Sequence, residues 1–333
     1  MKDKTRDNEP LGPTTIGGQA VIEGVMMRAP GAIATAVRRA DGTITVRREQ
    51  FETVAKRIPV LKYPVLRGAV GVIEMLVIGI RTLNFSAELA MEDARVEGQQ
   101  QGSSGVRGKQ SKLMLGVTVA VAFALALALF FVAPLVLTSL FFSVDQNPIL
   151  FNLFAGGVRL TLFLLYLLAI ARMPDVKRLF AYHGAEHKAV FAYEREKELT
   201  VASASRQSRF HPRCGTSFLL IVMLAAILIF AILDGLLLQW WGELTLGIRL
   251  VTHLPLVPLV GGLSYELIRF SSRHSGSWWG KILIAPGLWM QGITTREPDE
   301  SQLEVAIAAL TSALEGSEKT ATETDRSSLA GAA

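Results

Sequence analysis

The 333-residue chain is short of cysteine and of charge, and each shortage excludes a class of protein. Its single cysteine, Cys214, cannot form an intramolecular disulfide, which excludes a secreted domain held together by disulfides. Charged residues make up 19% of the chain, whereas soluble domains contain about a quarter. The charge is missing from particular segments, since residues 113–142 contain none. This pattern excludes a simple soluble enzyme and a disordered scaffold. Nucleic-acid binding is also disfavoured, because no basic run carries interleaved aromatic residues.

Four segments are long and apolar enough to cross a membrane. About 18 apolar residues are needed for a transmembrane helix, and the sequence offers such segments within 113–142, 149–171, 217–239 and 250–270. We therefore predict a mainly α-helical, polytopic membrane protein with about four transmembrane helices, in contact with the lipid bilayer. The first segment is longer than a span requires, so its helix must tilt, protrude or bend near Pro134.

The basic residues of the loops predict how the spans are oriented. The loop at 143–148 has no Lys or Arg, whereas the stretch from 172 to 213 has nine. Because Lys and Arg are enriched in cytoplasmic loops, we expect both termini and this central loop in the cytoplasm. Trp240 and Trp241 would then lie at the outer membrane interface, and Trp278 and Trp279 at the inner one.

The remaining segments are read as a folded cap, linkers and tails. Residues 33–39 and 43–48 alternate apolar and polar side chains around Asp41-Gly42, which predicts a β-hairpin in a small N-terminal cytoplasmic α+β cap. An amphipathic helix is expected at 64–90, on the membrane or under the bundle. The predicted boundaries are a disordered tail at 1–12, the cap and amphipathic helix at 13–96, a linker at 97–111, the membrane domain at 112–297 with a His/Cys loop at 172–216, a C-terminal helix at 298–314 and a disordered tail at 315–333.

The central loop contains a pattern typical of a metal site. His183 and His187 lie four residues apart in HGAEH, so on a helix their imidazoles share a face and could hold one divalent ion. Glu186 would act as the base that takes a proton from water. His211 and Cys214 follow, three residues apart, and the four donors together suit zinc. The alternative is a polar helix at the membrane surface, with His211 capping the third span.

Further polar residues are candidates for this site or for pairing within the spans. Glu23 and Arg28 lie in a glycine-rich segment and could supply a carboxylate or bind an anion, although such a segment is more often a tight turn. Arg159 falls midway along the second span, where a charge must be paired, and Glu266 in the fourth span is its expected partner. Glu266 is also a candidate metal ligand; otherwise it would pair with Arg269 or with a charge on another span.

Several segments resemble the YqhQ-like family, also described as domain of unknown function 1385, over roughly residues 16 to 314. They are GGQAVIEGVMMR at 17–28, YHGAEHK at 182–188, HPRCGTSF at 211–218, SYELIR at 264–269, PGLWMQ at 286–291 and TTREP at 294–298. The resemblance implies a bacterial integral membrane protein from a family described as predicted metal-dependent enzymes. The expected location is therefore the bacterial inner membrane. The resemblance implies neither a substrate nor a reaction.

Two classes of function fit these residues. If three protein ligands hold the metal, a position stays open and the protein is a hydrolase of unknown substrate; if four hold it, the metal is structural. The second class is a membrane scaffold or assembly factor, whose partner is another membrane protein or a second copy of the chain. A transporter is disfavoured, because the spans show no inverted repeat and few ionisable residues. One of these residues, Asp234, is expected to reach water at the outer end of the third span.

Cysteine labelling in intact cells tests the predicted orientation. In a Cys214→Ser background, the variant Ser143→Cys should react with a membrane-impermeant maleimide, because the loop at 143–148 is expected outside. The control Ser208→Cys, in the central loop, should react only after the membrane is permeabilised. The opposite labelling pattern would reverse the predicted orientation.

Overall fold

A computed structural model of the chain describes residues 16–100, 112–143, 147–273 and 277–330. The described residues are mainly helical, and an antiparallel sheet precedes the helices. The chain divides into two compact units: Met1–Glu52 with Ala181–Arg209 and Glu297–Ala333, and Thr53–Phe180 with Phe210–Arg296. The tail predicted at 1–12 and residues 101–111 of the predicted linker lie outside the described residues.

The secondary structure confirms a mainly helical protein with a small sheet. The strands are β1 (Gly17–Val21), β2 (Gly24–Ala29), β3 (Ala32–Arg38) and β4 (Ile44–Gln50). The helices are α1 (Val54–Arg57), α2 (Leu66–Gln100), α3 (Lys112–Leu127), α4 (Ala133–Ser139), α5 (Pro148–Ile170), α6 (Pro174–Glu196), α7 (Val201–Ser205), α8 (Gly215–Trp241), α9 (Leu246–His253), α10 (Val257–Arg273), α11 (Trp278–Thr294) and α12 (Glu300–Ala330).

The four strands form an antiparallel sheet in sequence order. The predicted hairpin is β3–β4, and Asp41 stabilises its turn by accepting hydrogen bonds from the backbone N–H and the hydroxyl of Thr43. The glycine-rich segment, expected to be a tight turn, forms a second hairpin from β1 and β2, and Ile22-Glu23 is its two-residue turn. Its apolar-polar alternation is weak because β2 is buried along most of its length, and a strand buried on both faces loses that pattern.

In the first unit, the sheet packs against helices. α12 lies along β2, β3 and β4, and the shared core includes Met27, Ala34, Tyr182, Ala189 and Leu310. The C-terminal helix was predicted to end at 314, with a disordered tail from 315, but α12 continues to Ala330. An ion pair of 2.6 Å between Arg48 of β4 and Glu315 ties the helix to the sheet beyond the predicted end.

In the second unit, four helical segments are long and apolar enough to cross a membrane, which confirms the predicted spans. They are Ala120–Ser139, Pro148–Ile170, Gly215–Trp241 and Gly247–Phe270. The first contains a π-helical turn, Ala128–Val132, that ends two residues before Pro134. Because proline has no N–H, it cannot bond to the carbonyl of Phe130 four residues earlier. Pro134 therefore interrupts the backbone hydrogen bonds of the helix at the position where a bend was predicted.

Arg159 supplies the donor that Pro134 lacks. Its Nε donates to the carbonyl oxygen of Phe130 at 2.9 Å. The expected ion pair between Arg159 and Glu266 is therefore wrong: Glu266 accepts two hydrogen bonds, of 2.6 and 2.5 Å, from Arg67 of α2. The sequence does not indicate the pair of Arg67 and Glu266, because the two residues lie 199 positions apart. It also does not show which helix packs against α2.

The predicted amphipathic helix packs closely against the last span. α2 begins at Leu66 and lies along α10. A Cβ atom added to Gly262 of α10 would lie 2.2 Å from the carbonyl oxygen of Val65, and one added to Gly68 would lie 2.7 Å from that of Gly262. Glycine at these positions allows the two backbones to approach, which brings Arg67 to Glu266.

We expect Gly24→Ala to destabilise the protein, because its Cβ would lie 2.2 Å from the carbonyl oxygen of Ala36 in the neighbouring strand. Overpacking of this kind costs about 1–3 kcal/mol of unfolding free energy. The control is Gly17→Ala, since a Cβ on Gly17 would meet no atom within 4 Å. Thermal unfolding of the detergent-solubilised full chain should show a lower Tm for the first variant alone. Equal Tm values would contradict the β2–β3 packing.

Candidate metal centre

The HGAEH sequence lies in the middle of α6, as predicted. Its two histidines are one helical turn apart, and their ring centroids are separated by 4.5 Å. The side chain of His183 is 13% exposed and that of His187 is 2% exposed. The helical register thus places two imidazoles side by side at a largely buried position.

The carboxylate of Glu186 lies beside the two imidazoles. Its Oε2 lies 3.9 Å from Nε2 of His183 and 3.7 Å from Nε2 of His187. Burial raises the pKa of the Glu186 carboxyl above its ordinary value, while the neighbouring His183 and a hydrogen bond from the backbone of Gly18 act in the opposite direction. The carboxyl is therefore a buried group held beside two ring nitrogens.

Gly18 is a functional residue that the sequence reasoning missed. It lies on β1, and a Cβ at this position would come 3.0 Å from Cγ of Glu186 and 2.2 Å from the carbonyl oxygen of Met26. The absence of a side chain allows its backbone to reach the Glu186 carboxylate. The available signal was the Gly17-Gly18 pair in a segment otherwise rich in β-forming residues.

A backbone carbonyl orients His187. The Nδ1–H of His187 donates to the carbonyl oxygen of Arg209 at 2.5 Å. A proton on Nδ1 leaves the lone pair on Nε2, the nitrogen that faces Glu186. Metal-binding histidines commonly have this arrangement, with the other ring nitrogen donating to a carbonyl or carboxylate.

The segment that carries this carbonyl is held by the buried side chain of Lys188. Lys188, next to His187, donates to the carbonyl oxygen of Ser205 at 2.9 Å and pairs with Glu297. Glu297 also lies 4.0 Å from Arg209. A lysine buried in this way needs partners, so Lys188 fixes the chain from Ser205 to Arg209 rather than presenting its charge to solvent.

In the second unit, Cys214 and His211 lie at the start of α8. Cys214 is the N-cap residue, and its Sγ accepts a hydrogen bond from the N–H of Thr216 at 3.4 Å. Nδ1 of His211 accepts from the N–H of Arg213 at 3.2 Å. The alternative in which His211 caps this helix is wrong, because Cys214 is the capping residue.

Gln291 holds this loop, and sequence reasoning missed it. Its Oε1 accepts from the N–H of His211 and its Nε2 donates to the His211 carbonyl, both at 2.8 Å. Nε2 also donates to the hydroxyl of Ser217 at 3.0 Å. A glutamine inside the apolar segment of α11 was the available signal, because a fully buried amide requires partners.

Two of the predicted ligands in the first unit could hold a metal ion together. The ring centroids of His183 and His187 are 4.5 Å apart on one face of α6. Imidazole nitrogen is a donor that zinc accepts, so this pair fits the ion that the sequence predicted. Cys214 and His211 lie in the second unit, and their role as ligands stays a prediction.

Comparison with known proteins identifies the family. A family model described as "Protein of unknown function (DUF1385)" matches residues 63–316, most of the chain. The chain belongs to the DUF1385 family. It is 34% identical over 306 residues to the uncharacterized protein YqhQ of Bacillus subtilis (strain 168), and the match covers 89% of this chain and 91% of that protein. No solved structure matches the chain.

The comparison confirms the resemblance to the YqhQ-like family, whose descriptions give no metal and no reaction. Two other candidates from the family's glycine-rich segment have separate surroundings. Glu23 accepts a hydrogen bond from the hydroxyl of Tyr182 at 3.3 Å, one residue before His183. Arg28 lies 4.4 Å from the ring centroid of Phe51 in a cation–π contact. Glu23 thus contacts the residue next to His183, whereas Arg28 packs on an aromatic ring.

The remaining candidates lie in the membrane-spanning part of the DUF1385 chain. Arg159 binds the carbonyl of Phe130, and Glu266 binds Arg67. Arg269 lies on α10, one turn after Glu266. Glu266 is therefore engaged in an ion pair between helices, the structural role that the sequence left open for it.

We expect Gln291→Leu to loosen the loop that carries Cys214. The variant removes the partners of the His211 N–H and carbonyl groups, and each buried polar group left unsatisfied costs about 1–3 kcal/mol. Cys214 should then react with a thiol reagent roughly ten times faster in the folded protein. The control Gln239→Leu makes the same change at an exposed position. Equal reaction rates in both variants would contradict the role assigned to Gln291.

Proposed function

We propose that this DUF1385 protein is a metal-dependent hydrolase whose divalent ion, zinc by the chemistry of the donors, is held by His183, His187 and Cys214. The observation that carries the proposal is the position of Glu186, whose Oε2 lies 3.9 and 3.7 Å from the two imidazole Nε2 atoms. A structural zinc site requires only its ligands. A buried carboxylate beside those ligands is the arrangement that hydrolytic chemistry needs.

The number of ligands supports a catalytic site over a structural one. Three protein ligands leave one position of a tetrahedral zinc ion open, whereas four close it. The Nδ1 atom of His211 already accepts a hydrogen bond from a backbone N–H, so a neutral His211 carries its proton on Nε2 and offers a metal no lone pair. We therefore assign His211 to the shape of the loop and the ligand role to Cys214.

The proposed chemistry assigns a task to each neighbouring residue. When bound, the metal supplies a Lewis acid that polarises the substrate and makes water easier to deprotonate. Glu186 accepts the proton from the attacking water at Oε2 and returns it to the leaving group. The Gly18 backbone orients this carboxylate, and the carbonyl of Arg209 keeps the lone pair of His187 on Nε2.

The spans and the family support the proposed location. Four apolar helices are suited to cross a membrane, where they would contact lipid, and the relative YqhQ is bacterial. We infer a bacterial inner-membrane protein with both termini in the cytoplasm, because the basic residues are concentrated in the central loop. The ligands lie in or beside that loop, so a cytoplasmic substrate would reach them. Beyond lipid, we propose a membrane protein or a second copy of the chain as partner, and no nucleic acid.

Metal analysis of the purified full chain tests the ligands. The wild type should carry about one zinc ion per chain, and His183→Ala and Cys214→Ala should lose it. His211→Ala is the matched control and should retain the ion, as should Glu186→Gln, because neither residue is an assigned ligand. A wild type without metal, or loss of metal from the His211→Ala variant, would contradict the assignment.

Cobalt substitution distinguishes a catalytic site from a structural one. In the Co²⁺-loaded wild type, azide should change the visible absorption spectrum, because an open coordination position accepts a small anion. An unchanged spectrum would show a closed site. That result would overturn the hydrolase and favour the alternative, a membrane scaffold or assembly factor in which the metal is structural.

A further inference from the structure

Strand β1 forms one edge of the sheet in the first unit. The strand order is β1-β2-β3-β4, so among the described strands β1 has a neighbour on one side only. Its residues from Gly17 to Ala20 are partly exposed, whereas Val21, at the end of the strand, is buried. An edge strand that reaches solvent presents backbone N–H and C=O groups with which a further strand can pair.

The register of the β1–β2 hairpin determines which backbone groups of β1 point outward. Val21 pairs with Gly24 on either side of the two-residue turn Ile22-Glu23. A pair that closes such a turn exchanges both of its backbone hydrogen bonds, and pairs of this kind alternate with pairs that exchange none. The N–H and C=O groups of Gly18 and Ala20 therefore point away from β2, toward the open edge.

The carboxyl of Glu186 lies at this edge. It accepts a hydrogen bond from the backbone of Gly18, which agrees with the outward direction of the Gly18 N–H. A Cβ atom at Gly18 would lie 3.0 Å from Cγ of Glu186, so the strand and the carboxyl are in direct contact. The next outward groups along β1 are the carbonyl of Gly18 and both backbone groups of Ala20. Within the described residues they have no hydrogen-bond partner.

The kinds of group at this edge select among possible ligands. The carbonyls of Gly18 and Ala20 are acceptors and the N–H of Ala20 is a donor, so an anion would meet more acceptors than donors. An extended peptide carries N–H and C=O groups that face one side at every second residue. The two outward residues of β1 have the same spacing, so a peptide strand can pair with all of these groups.

We propose that the edge of β1 binds an extended peptide segment as an additional strand, and that such a peptide is the substrate of the neighbouring site. The identity of the substrate rests on the proposed function, in which Glu186 is the base. Addition of a strand derives its affinity from main-chain hydrogen bonds, so it selects an unfolded or extended polypeptide. A segment paired with Gly18 and Ala20 would run past the Glu186 carboxyl.

The reaction that this arrangement supports is hydrolysis of one backbone amide. The carbonyl carbon gains the hydroxyl of water and the C–N bond breaks. Glu186 accepts the other proton of that water and gives it to the leaving nitrogen. Peptide and water are the only reactants, and the products are a carboxylic acid and an amine.

Binding of a model peptide to the full chain tests the proposal independently of the metal. The probe is a fluorescein-labelled hexapeptide of alternating Thr and Val, residues that favour an extended backbone. Its fluorescence anisotropy is measured with the nanodisc-embedded protein in the presence of a chelator, so that no peptide is cleaved. The control peptide has every backbone amide N-methylated and should bind on the order of tenfold more weakly, because it has no backbone donor. Equal binding of the two peptides would overturn the proposal.

Matched variants at Ala20 locate the binding. Ala20→Pro removes the outward N–H and places a ring carbon at the edge, and it leaves the bonds to β2 because that N–H does not form one. The peptide should bind this variant on the order of tenfold more weakly. Ala20→Ser keeps the N–H and should bind as the wild type does, and Tm values show whether both variants fold. Equal binding by the two variants would place the peptide elsewhere and overturn the proposal.

Hydrogen exchange of the wild type gives a second readout that needs no variant. A saturating concentration of the hexapeptide should slow exchange of the Ala20 amide on the order of tenfold, because a new strand would accept its hydrogen bond. An unchanged exchange rate at Ala20 would contradict the edge site.

These measurements separate the failure of this inference from the failure of the proposed function. A protein that carries zinc with an open position but does not bind the peptide would overturn the edge site and leave the hydrolase standing. A protein that binds the peptide at Ala20 but carries no metal would confirm the edge site and overturn the hydrolase.

Discussion

The need to pair buried polar groups is the constraint on which this structure depends. Along α6, Glu186, His187 and Lys188 follow one another and are each buried. A helix cannot satisfy such side chains itself, so the surrounding segments must supply partners. The backbone of Gly18 forms a hydrogen bond with the Glu186 carboxyl, and the carbonyl of Arg209 accepts one from His187. These hydrogen bonds stabilise the buried side chains and also fix the orientation of the Glu186 carboxylate and the His187 imidazole. The stability of the fold and the geometry of the site therefore depend on the same contacts.

The same constraint acts within the spans, where no water is available to form hydrogen bonds with unpaired polar groups. Pro134 leaves the carbonyl of Phe130 without its helical donor, and Arg159 supplies one. Asp234 of α8, which was expected to reach water, is buried and paired with residues from two other helices, α5 and α9. An arginine in a span is commonly taken as a sign of transport. In this DUF1385 protein, Arg159 donates to the carbonyl that Pro134 leaves without its helical donor, and Arg249 pairs with the buried carboxylate of Asp234.

Local sequence patterns predicted the secondary-structure elements that depend only on neighbouring residues. Apolar runs located the four spans, confirmed by their length and composition, and Asp41-Gly42 located the β3–β4 hairpin. The spacing of HGAEH placed two imidazoles on one helical face. The β1–β2 hairpin was missed because burial removes the alternation that marks a strand. The predicted partner of Glu266, Arg159, was wrong because the actual partner, Arg67, is distant in sequence. No local pattern indicates that α2 and α10 pack together through glycines.

The sequence by itself determined that the chain is a helical membrane protein with a small sheet, and which residues could bind a metal. These properties follow from residue type and spacing, which act over a few helical turns or strand positions. Only the tertiary structure decided which residues meet: Gly18 with Glu186, Arg67 with Glu266, and Asp234 with a buried cluster rather than with water. Such choices depend on backbone approach and burial between segments distant in sequence, and no local pattern encodes them.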